Sequence, residues 1–214
     1  MVVSENRARS LAGSESGLQR FIDREIVAAA IHLHSIHDMD NDANVAAMRD
    51  RQNLHDAVLI AFARREQGLV VAHGNPLKLK SIEDVAARRA RMALRPKGAG
   101  AQLLLLSLLQ RANTSLDRLV CMSSPCPTGP DIAQAIRAGH ADCGIATRSV
   151  ANAAGLDFVP LIWERFDLVM RQRDYFRRPL QALLDFLRNP ALTARAKELG
   201  GYDLVAAGKV RYAP

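Results

Sequence analysis

Continuous apolar runs alternate with helix-period segments along most of this chain. The run "IVAAAIHLH" at 26–34 reads as a strand buried on both faces, because it shows no alternation of polar and apolar positions. Before it, "SESGLQRFIDRE" at 14–25 has helical spacing, with Ser14 or Ser16 as N-cap. "ANVAAMRDRQ" reads as a short helix. "AVLIAFARREQGLVVAHGNP" reads as two β-like runs divided at Glu66, Gln67 and Gly68, stopping at the turn "HGNP". Ser81 caps the helix "SIEDVAARR" with Asp84 at capping-box spacing. Then follow a strand "RMAL", a glycine turn, a strongly apolar helix, a strand "DRLVCM", a loop "SSPCPTGP" and a helix "DIAQAIRAG" capped by Thr128. A strand "ADCGIA", a short helix "SVANAAG", two strands "DFVPLIW" and "FDLVMR", and two helices complete the order. The first of those helices starts at Pro179 and the second stops at a Gly-Gly pair. Strands alternating with helices predict an α/β fold with mostly parallel pairing and flanking helices.

The glycine turn "RPKGAGAQ" at 95–102 joins a strand to a helix start. A helix start presents unpaired backbone N–H groups and the positive end of the helix dipole. Gly98 and Gly100 admit a ligand close to that backbone, and Arg95 and Lys97 add charge, so the turn has the parts of an anion seat. Locally it reads first as a corner whose glycines ease the chain round, since short Gly-rich turns are common.

The charge balance bears on the class of partner. The 214 residues carry 29 Lys and Arg against 22 Asp and Glu, a net charge of +7, so anionic partners are expected. The basic residues are dispersed and no run reads as a DNA-binding arm. Aromatics are 5% of the chain, too few to suggest a nucleic-acid stacking platform. Three cysteines make no even disulfide framework, and Cys121 and Cys126 are too far apart for a C-x-x-C pair, which points to a cytoplasmic location. "MVVSENRARSLAGSESG" has no signal-peptide core, and "AQLLLLSLL" is far short of a membrane span.

The segments "GSESGLQRFIDREIVAAAIHL", "RREQGLVVAHGNP", "SIEDVAARRARMALRPKGAGAQLLLLSLL", "DIAQAIRAGHADCGIA", "GLDFVPLIWERFDLVM" and "PLQALLDFLRNPALTARAKELGGYD" resemble, in this order, the periplasmic-binding-protein-like domain of molybdate- and tungstate-responsive helix-turn-helix regulators and of molybdopterin-biosynthesis proteins. The resemblance implies a type II solute-binding fold of two α/β lobes. Lobe one would hold residues 1–75 and 167–214, and lobe two residues 76–166. It further implies a cytoplasmic ligand-sensing domain that binds a small oxyanion, of the molybdate or tungstate kind, in the interlobe cleft. By this mapping the turn holding Gly13, Ser14, Ser16 and Gly17 faces the turn holding Arg95, Lys97, Gly98, Ala99 and Gly100. Thr128 adds a third helix start, and His32 is aimed at the cleft. No catalytic residue, metal or cofactor is called for, and DNA would be reached only through an attached helix-turn-helix domain. A homodimer is compatible with such an arrangement, and no membrane partner is expected. The family's turn usually reads "RQxGSGTR", so Ala99 and Ala101 stand where hydroxyls are expected and Gln102 where a basic residue is. Two lost hydroxyl bonds cost about tenfold in affinity or more. The family's fold also opens with a strand and helix ahead of the first turn, so lobe one is expected to be incomplete at its N-terminus.

Other chemistry is weaker. His32, His34, His37, Asp38, Asp40 and Asp42 are imidazole and carboxylate groups close in sequence, which keeps a metal-binding protein as an alternative, but they match no zinc spacing and lack the Gly and distal Glu of a calcium loop. A ligand-docking domain of a molybdenum-cofactor biosynthesis enzyme is the other alternative. Enzyme machinery is not expected: there is no G-x-S-x-G elbow, Walker loop or G-x-G-x-x-G after a strand. Cys126 sits between prolines, His73 reads as a turn residue, and Trp163 and Phe166 read as packing, with Trp163 or Arg165 able to border the cleft.

Overall fold

The structure, a computed structural model, describes residues 14–33 and 42–214. Helix α1 (Ser14–Ile22) buries Gly17, Leu18 and Phe21 on one face and leads into β1 (Ala28–Ile31). Helix α2 (Ala43–Arg49) is capped by the Asp42 side chain, which accepts from the Val45 N–H. Strand β2 (Ala57–Val71) is followed by α3 (Ile82–Ala87), β3 (Arg91–Ala93), α4 (Gly100–Arg111) and β4 (Val120–Cys121). Next come α5 (Gly129–Arg137), β5 (Cys143–Thr147), α6 (Arg148–Ala154) and β6 (Asp157–Arg171). Then α7 (Gln172–Tyr175), α8 (Arg178–Leu187), α9 (Pro190–Leu199), β7 (Tyr202–Asp203) and β8 (Val210–Tyr212) close the chain.

The eight strands of the described residues join one mixed sheet. Its spine is the antiparallel pair of β2 and β6, each 15 residues long. β1 extends the sheet beyond β6. On its other side β2 is met in turn by β8, β7 and β5, and β3 and β4 lie beyond β5. The expected α/β layers with flanking helices are present, but parallel pairing is confined to β3 with β4 and β3 with β5. The other pairings are antiparallel, because the long strands and the returning C-terminal strands need no helical crossover. Two further expectations are corrected. β1 is an edge strand with alternating burial rather than an interior parallel strand. The paired runs on either side of Gln67, and on either side of Glu164, are single strands.

The two lobes follow from the burial along β2. Its first half sends Leu59 into a core with Leu18, Phe21, Ile31, Met48 and Val169, and sends Val58 and Ile60 to the opposite face with Met170, Leu184 and Leu187. Its second half sends Leu69 and Val71 into a core with Val85, Met92, Leu104, Leu105 and Ile145, while Val70 packs with Ile132, Ile136 and Ala151. Each end of the strand is thus covered on both faces, which explains its unbroken apolar sequence there. The polar stretch between, from Arg64 to Gln67, spans the passage from one lobe to the other.

The register of β2 against β6 shifts between Gln67 and Gly68. A Cβ on Gly68 would stand 2.1 Å from the Val159 carbonyl oxygen, a backbone atom with no room to yield. Gly68→Ala is therefore expected to destabilise the protein by about 1–3 kcal/mol in urea unfolding; an unchanged midpoint would contradict so close a crossing.

Candidate functional site

Arg65 and Glu164 face each other in the β2–β6 ladder at this passage. Glu164 is 4% exposed. One carboxylate oxygen accepts from Arg65 Nε and from Gln67 Nε2, the latter at 2.9 Å. The other lies 3.2 Å from His32 Nδ1. The Arg65 guanidinium sits 4.2 Å from the centre of the Phe166 ring, and the His32 ring is 5.7 Å from the same ring. His32, Arg65 and Gln67 form a polar floor to a cavity, with Glu164 and Phe166 behind them. An unpaired buried carboxylate is strongly unfavourable, so its charge is matched by Arg65 and its lone pairs by Gln67 and His32.

Two helix starts stand over this floor. The 95–102 turn takes Gly98 at φ 82°, a left-handed conformation suited to glycine. Ala99 is the N-cap of α4 and supplies no side-chain bond. The Gln102 and Leu103 amides bond to the Ala99 carbonyl, while the Gly100 and Ala101 amides stand at the positive end of the dipole, in residues that line a cavity. Gln102 has a structural use that the motif comparison missed: its Oε1 accepts from the Arg95 N–H at 3.0 Å and closes the turn.

Helix α5 is capped differently. Thr128 Oγ1 accepts from the Asp131 N–H and also donates to Asp131 Oδ2 at 2.6 Å, while the Thr128 N–H donates to the same oxygen at 2.7 Å. The Thr128 hydroxyl expected to reach a ligand is therefore turned to its own helix. Pro130 has no N–H, so the first turn offers the Gly129 amide.

Arg95 links the two starts. Its Nη2 donates to the Pro127 carbonyl at 2.8 Å. Its Nε is buried and has no hydrogen-bond partner among the described residues. Burial draws the Arg95 pKa down, with Asp131 opposing, but a guanidinium stays protonated at neutral pH. Burial and then Asp131 push the neighbouring Cys126 thiol up, against the pull of Arg95, so it carries no thiolate character.

A cavity of about 330 Å³ lies between floor and helix starts, lined by His32, Arg65, Gln67, Arg95, Pro96, Lys97, Ala99, Gly100, Ala101, Pro127, Thr128, Gly129, Pro130, Ala146, Thr147 and Val150. Of the residues singled out from sequence, His32, Arg95, Lys97, Ala99, Gly100 and Thr128 meet here, with Lys97 exposed at the rim. The start of α1 does face the glycine turn: a Glu15 carboxylate oxygen lies 3.5 Å from where a Cβ on Gly98 would stand. Yet Gly98, Ser14, Ser16 and Gly17 do not line the cavity. Ser14 is buried and accepts from the His32 N–H at 3.1 Å, Ser16 is exposed, and Gly17 packs near Ala29. Both serines lie inside α1 rather than at its cap. Gly13, His34, His37, Asp38 and Asp40 lie outside the described residues. Asp42 caps α2 and pairs with Arg211, which also reaches Asp167. His73 is exposed beside Asp157, 3.3 Å away. Trp163 is partly exposed, with the Arg64 guanidinium 5.7 Å from its ring centre. Two larger hollows, of about 650 and 990 Å³, are lined mainly by helix sides and C-terminal ends.

Arg65, Gln67 and Glu164 were not visible as site residues in the sequence. Their only signal is polarity inside two otherwise apolar strands.

The two sides of the cleft also meet at His32 and Gly100. A Cβ on Gly100 would stand 1.7 Å from His32 Cε1. Gly100→Ala must displace the imidazole from Glu164 and Phe166, and is expected to cost about 1–3 kcal/mol in stability. In a His32→Ala background the same substitution should be neutral within about 0.5 kcal/mol. Equal costs in both backgrounds, read by urea unfolding, would contradict the contact.

Comparisons with known proteins agree with this architecture. A family model described as a PBP superfamily domain matches residues 6–188. The uncharacterised protein YvgK of Bacillus subtilis (strain 168) is 30% identical over 152 residues, covering 71% of this chain and 49% of YvgK, so the chain spans about half the length of that relative. The regulatory domain of CcmR from Synechocystis PCC6803, solved in complex with 2-PG, is similar with a TM-score of 0.59 at 16% identity, covering 81% of this chain and 77% of that one. The tungstate ABC transporter structure from Geobacter sulfurreducens also gives 0.59, at 13% identity, covering 87% and 82%. These structural likenesses concern the fold: two lobes, a mixed sheet and flanking helices around a cleft. The family match takes in most of both lobes and the whole of the cleft between them, and by it the chain belongs to the PBP superfamily domain family.

Proposed function

We propose that this chain is a ligand-sensing domain that takes a small anion into the interlobe cleft. The observation that carries the reading is Arg95: a half-buried cation whose Nε is unpartnered among the described residues, beside the uncapped start of α4. The anion's oxygens would accept from Arg95 Nε, from the Gly100 and Ala101 amides and from the Gly129 amide. Charge-assisted bonds of this kind hold an oxyanion without a metal or a base. The net charge of +7 supports attraction of an anion. So do the similar structures, of which one was solved with 2-PG and another is named for tungstate. Molybdate and tungstate belong to the class of anion in question.

Closure of the lobes on the anion would shift the population of two states, and in a cytoplasmic transcriptional regulator that shift would be read by an attached DNA-binding unit. Binding rather than turnover is favoured by the chemistry around the cavity, since Cys126 is a neutral thiol and the Glu164 carboxylate in the floor is held by Arg65, Gln67 and His32.

Calorimetry and thermal shift with molybdate, tungstate, sulfate, phosphate and small organic anions test this. At a hundredfold excess over Kd, a true ligand should stabilise the fold by about 2.7 kcal/mol. Arg95→Ala should weaken binding by about tenfold or more, because a hydrogen bond to a charged group contributes about 1.5–3 kcal/mol. Lys97→Ala, at the exposed rim, should weaken it less than about fivefold. Stabilisation by no anion, or unchanged affinity in Arg95→Ala, would overturn the assignment.

A further inference from the structure

The second unpartnered atom of the cleft narrows the class of ligand. Gln67 is 3% exposed and lines the cavity. Its Nε2 donates to Glu164 Oε1 at 2.9 Å. A carboxylate flanked by the Arg65 cation is an acceptor only, so the nitrogen must face it and the orientation of the amide is settled chemically. The remaining atom, Gln67 Oε1, is a buried acceptor with no partner among the described residues. Thr147, its neighbour across the β2–β5 ladder, has its hydroxyl 2.8 Å from Ser149 Oγ, a pair in which either oxygen can donate.

Among the described residues, the side chains lining the cleft thus hold one buried donor without an acceptor, Arg95 Nε, and one buried acceptor without a donor, Gln67 Oε1. Buried polar groups are nearly always satisfied, so the fitting occupant offers both. Sulfate, molybdate and tungstate dianions carry acceptors alone. Size points the same way. A cavity of about 330 Å³ leaves room beside a five-atom oxyanion. It lies within the range of small organic ligands.

We propose that the ligand is a small hydroxylated organic anion, whose carboxylate or phosphate ester docks at Arg95 and the start of α4 while its hydroxyl donates to Gln67 Oε1. This rests on the small-anion reading of the same cleft. Glu164 then acts on specificity as well as on the fold, because by fixing the Gln67 amide it makes the cleft select for a donor in addition to negative charge.

Matched pairs of ligands test the proposal in the unmodified protein, so no variant need fold for it to fail. Calorimetry would compare glycolate with acetate, lactate with propionate, and glycerol 3-phosphate with propyl phosphate, alongside molybdate, tungstate and inorganic phosphate. The carboxylate and phosphate arms distinguish the two kinds of charged group. In at least one arm the hydroxylated member should bind about tenfold tighter or more, since a site built around a hydroxyl rejects the analogue that lacks it. Gln67→Met, which keeps the length and removes the acceptor, should bring that pair within about twofold. Pairs that bind equally, or an inorganic anion that binds as tightly as any hydroxylated one, would overturn the proposal while leaving the small-anion reading in place. Binding by no anion would overturn both.

Discussion

A buried carboxylate at the passage between lobes is the constraint on which the site depends. Glu164 lies where β6 leaves one core for the other, and it is almost wholly removed from water. Leaving such a charge unmatched would cost several kcal/mol. Arg65 meets it from the facing position of β2, Gln67 from two residues further along, and His32 from the end of β1. Three strands are thereby tied to one point. The His32 ring in turn rests on Gly100, which has no Cβ to hold it off. A single compensated charge thus sets the height of the α4 start above the cleft floor.

Around that point the two lobes divide the work. The long strands supply an apolar, fully covered sheet at each end and a polar crossing between, so the cleft is placed by the sheet itself. Lobe two brings helix starts, and they are unequal. α4 leaves its first amides for the cavity, whereas α5 satisfies Thr128 and Asp131 with each other and retains the Gly129 amide. Arg95 spans the gap by bonding to Pro127 just ahead of α5. The cavity is therefore lined by helix-start amides and Arg95 on one side and by Arg65, Gln67 and His32 on the other.

The local parts of this picture were legible in the sequence. Ser81, Thr128 and Pro179 mark helix starts because capping chemistry lies within four residues, and the 95–102 turn stands out for the same reason. The α/β order of elements was legible, and so was the superfamily, through its ordered segments. Pairing was less so. An apolar run shows that both faces are covered but not the direction of its neighbour, and so the antiparallel spine of β2 and β6 read as four separate strands. The site was half visible. Helix-start residues such as Arg95 and Gly100 were found, whereas Ser14 and Thr128 were credited with hydroxyls that the fold uses for His32 and Asp131. Arg65, Gln67 and Glu164 stayed hidden because their meaning lies in pairing across 97 to 99 residues of chain.

The most direct measurement of the central claim is the nitrogen-detected NMR signal of arginine Nε–H groups while phosphate or a hydroxycarboxylate is titrated in. An anion seated between Arg95 and α4 should move the Arg95 Nε–H together with the Gly100, Ala101 and Gly129 amides, saturably and with one affinity. Shifts spread over exposed arginines such as Arg173 and Arg188, with Arg95 and those amides unmoved, would contradict it.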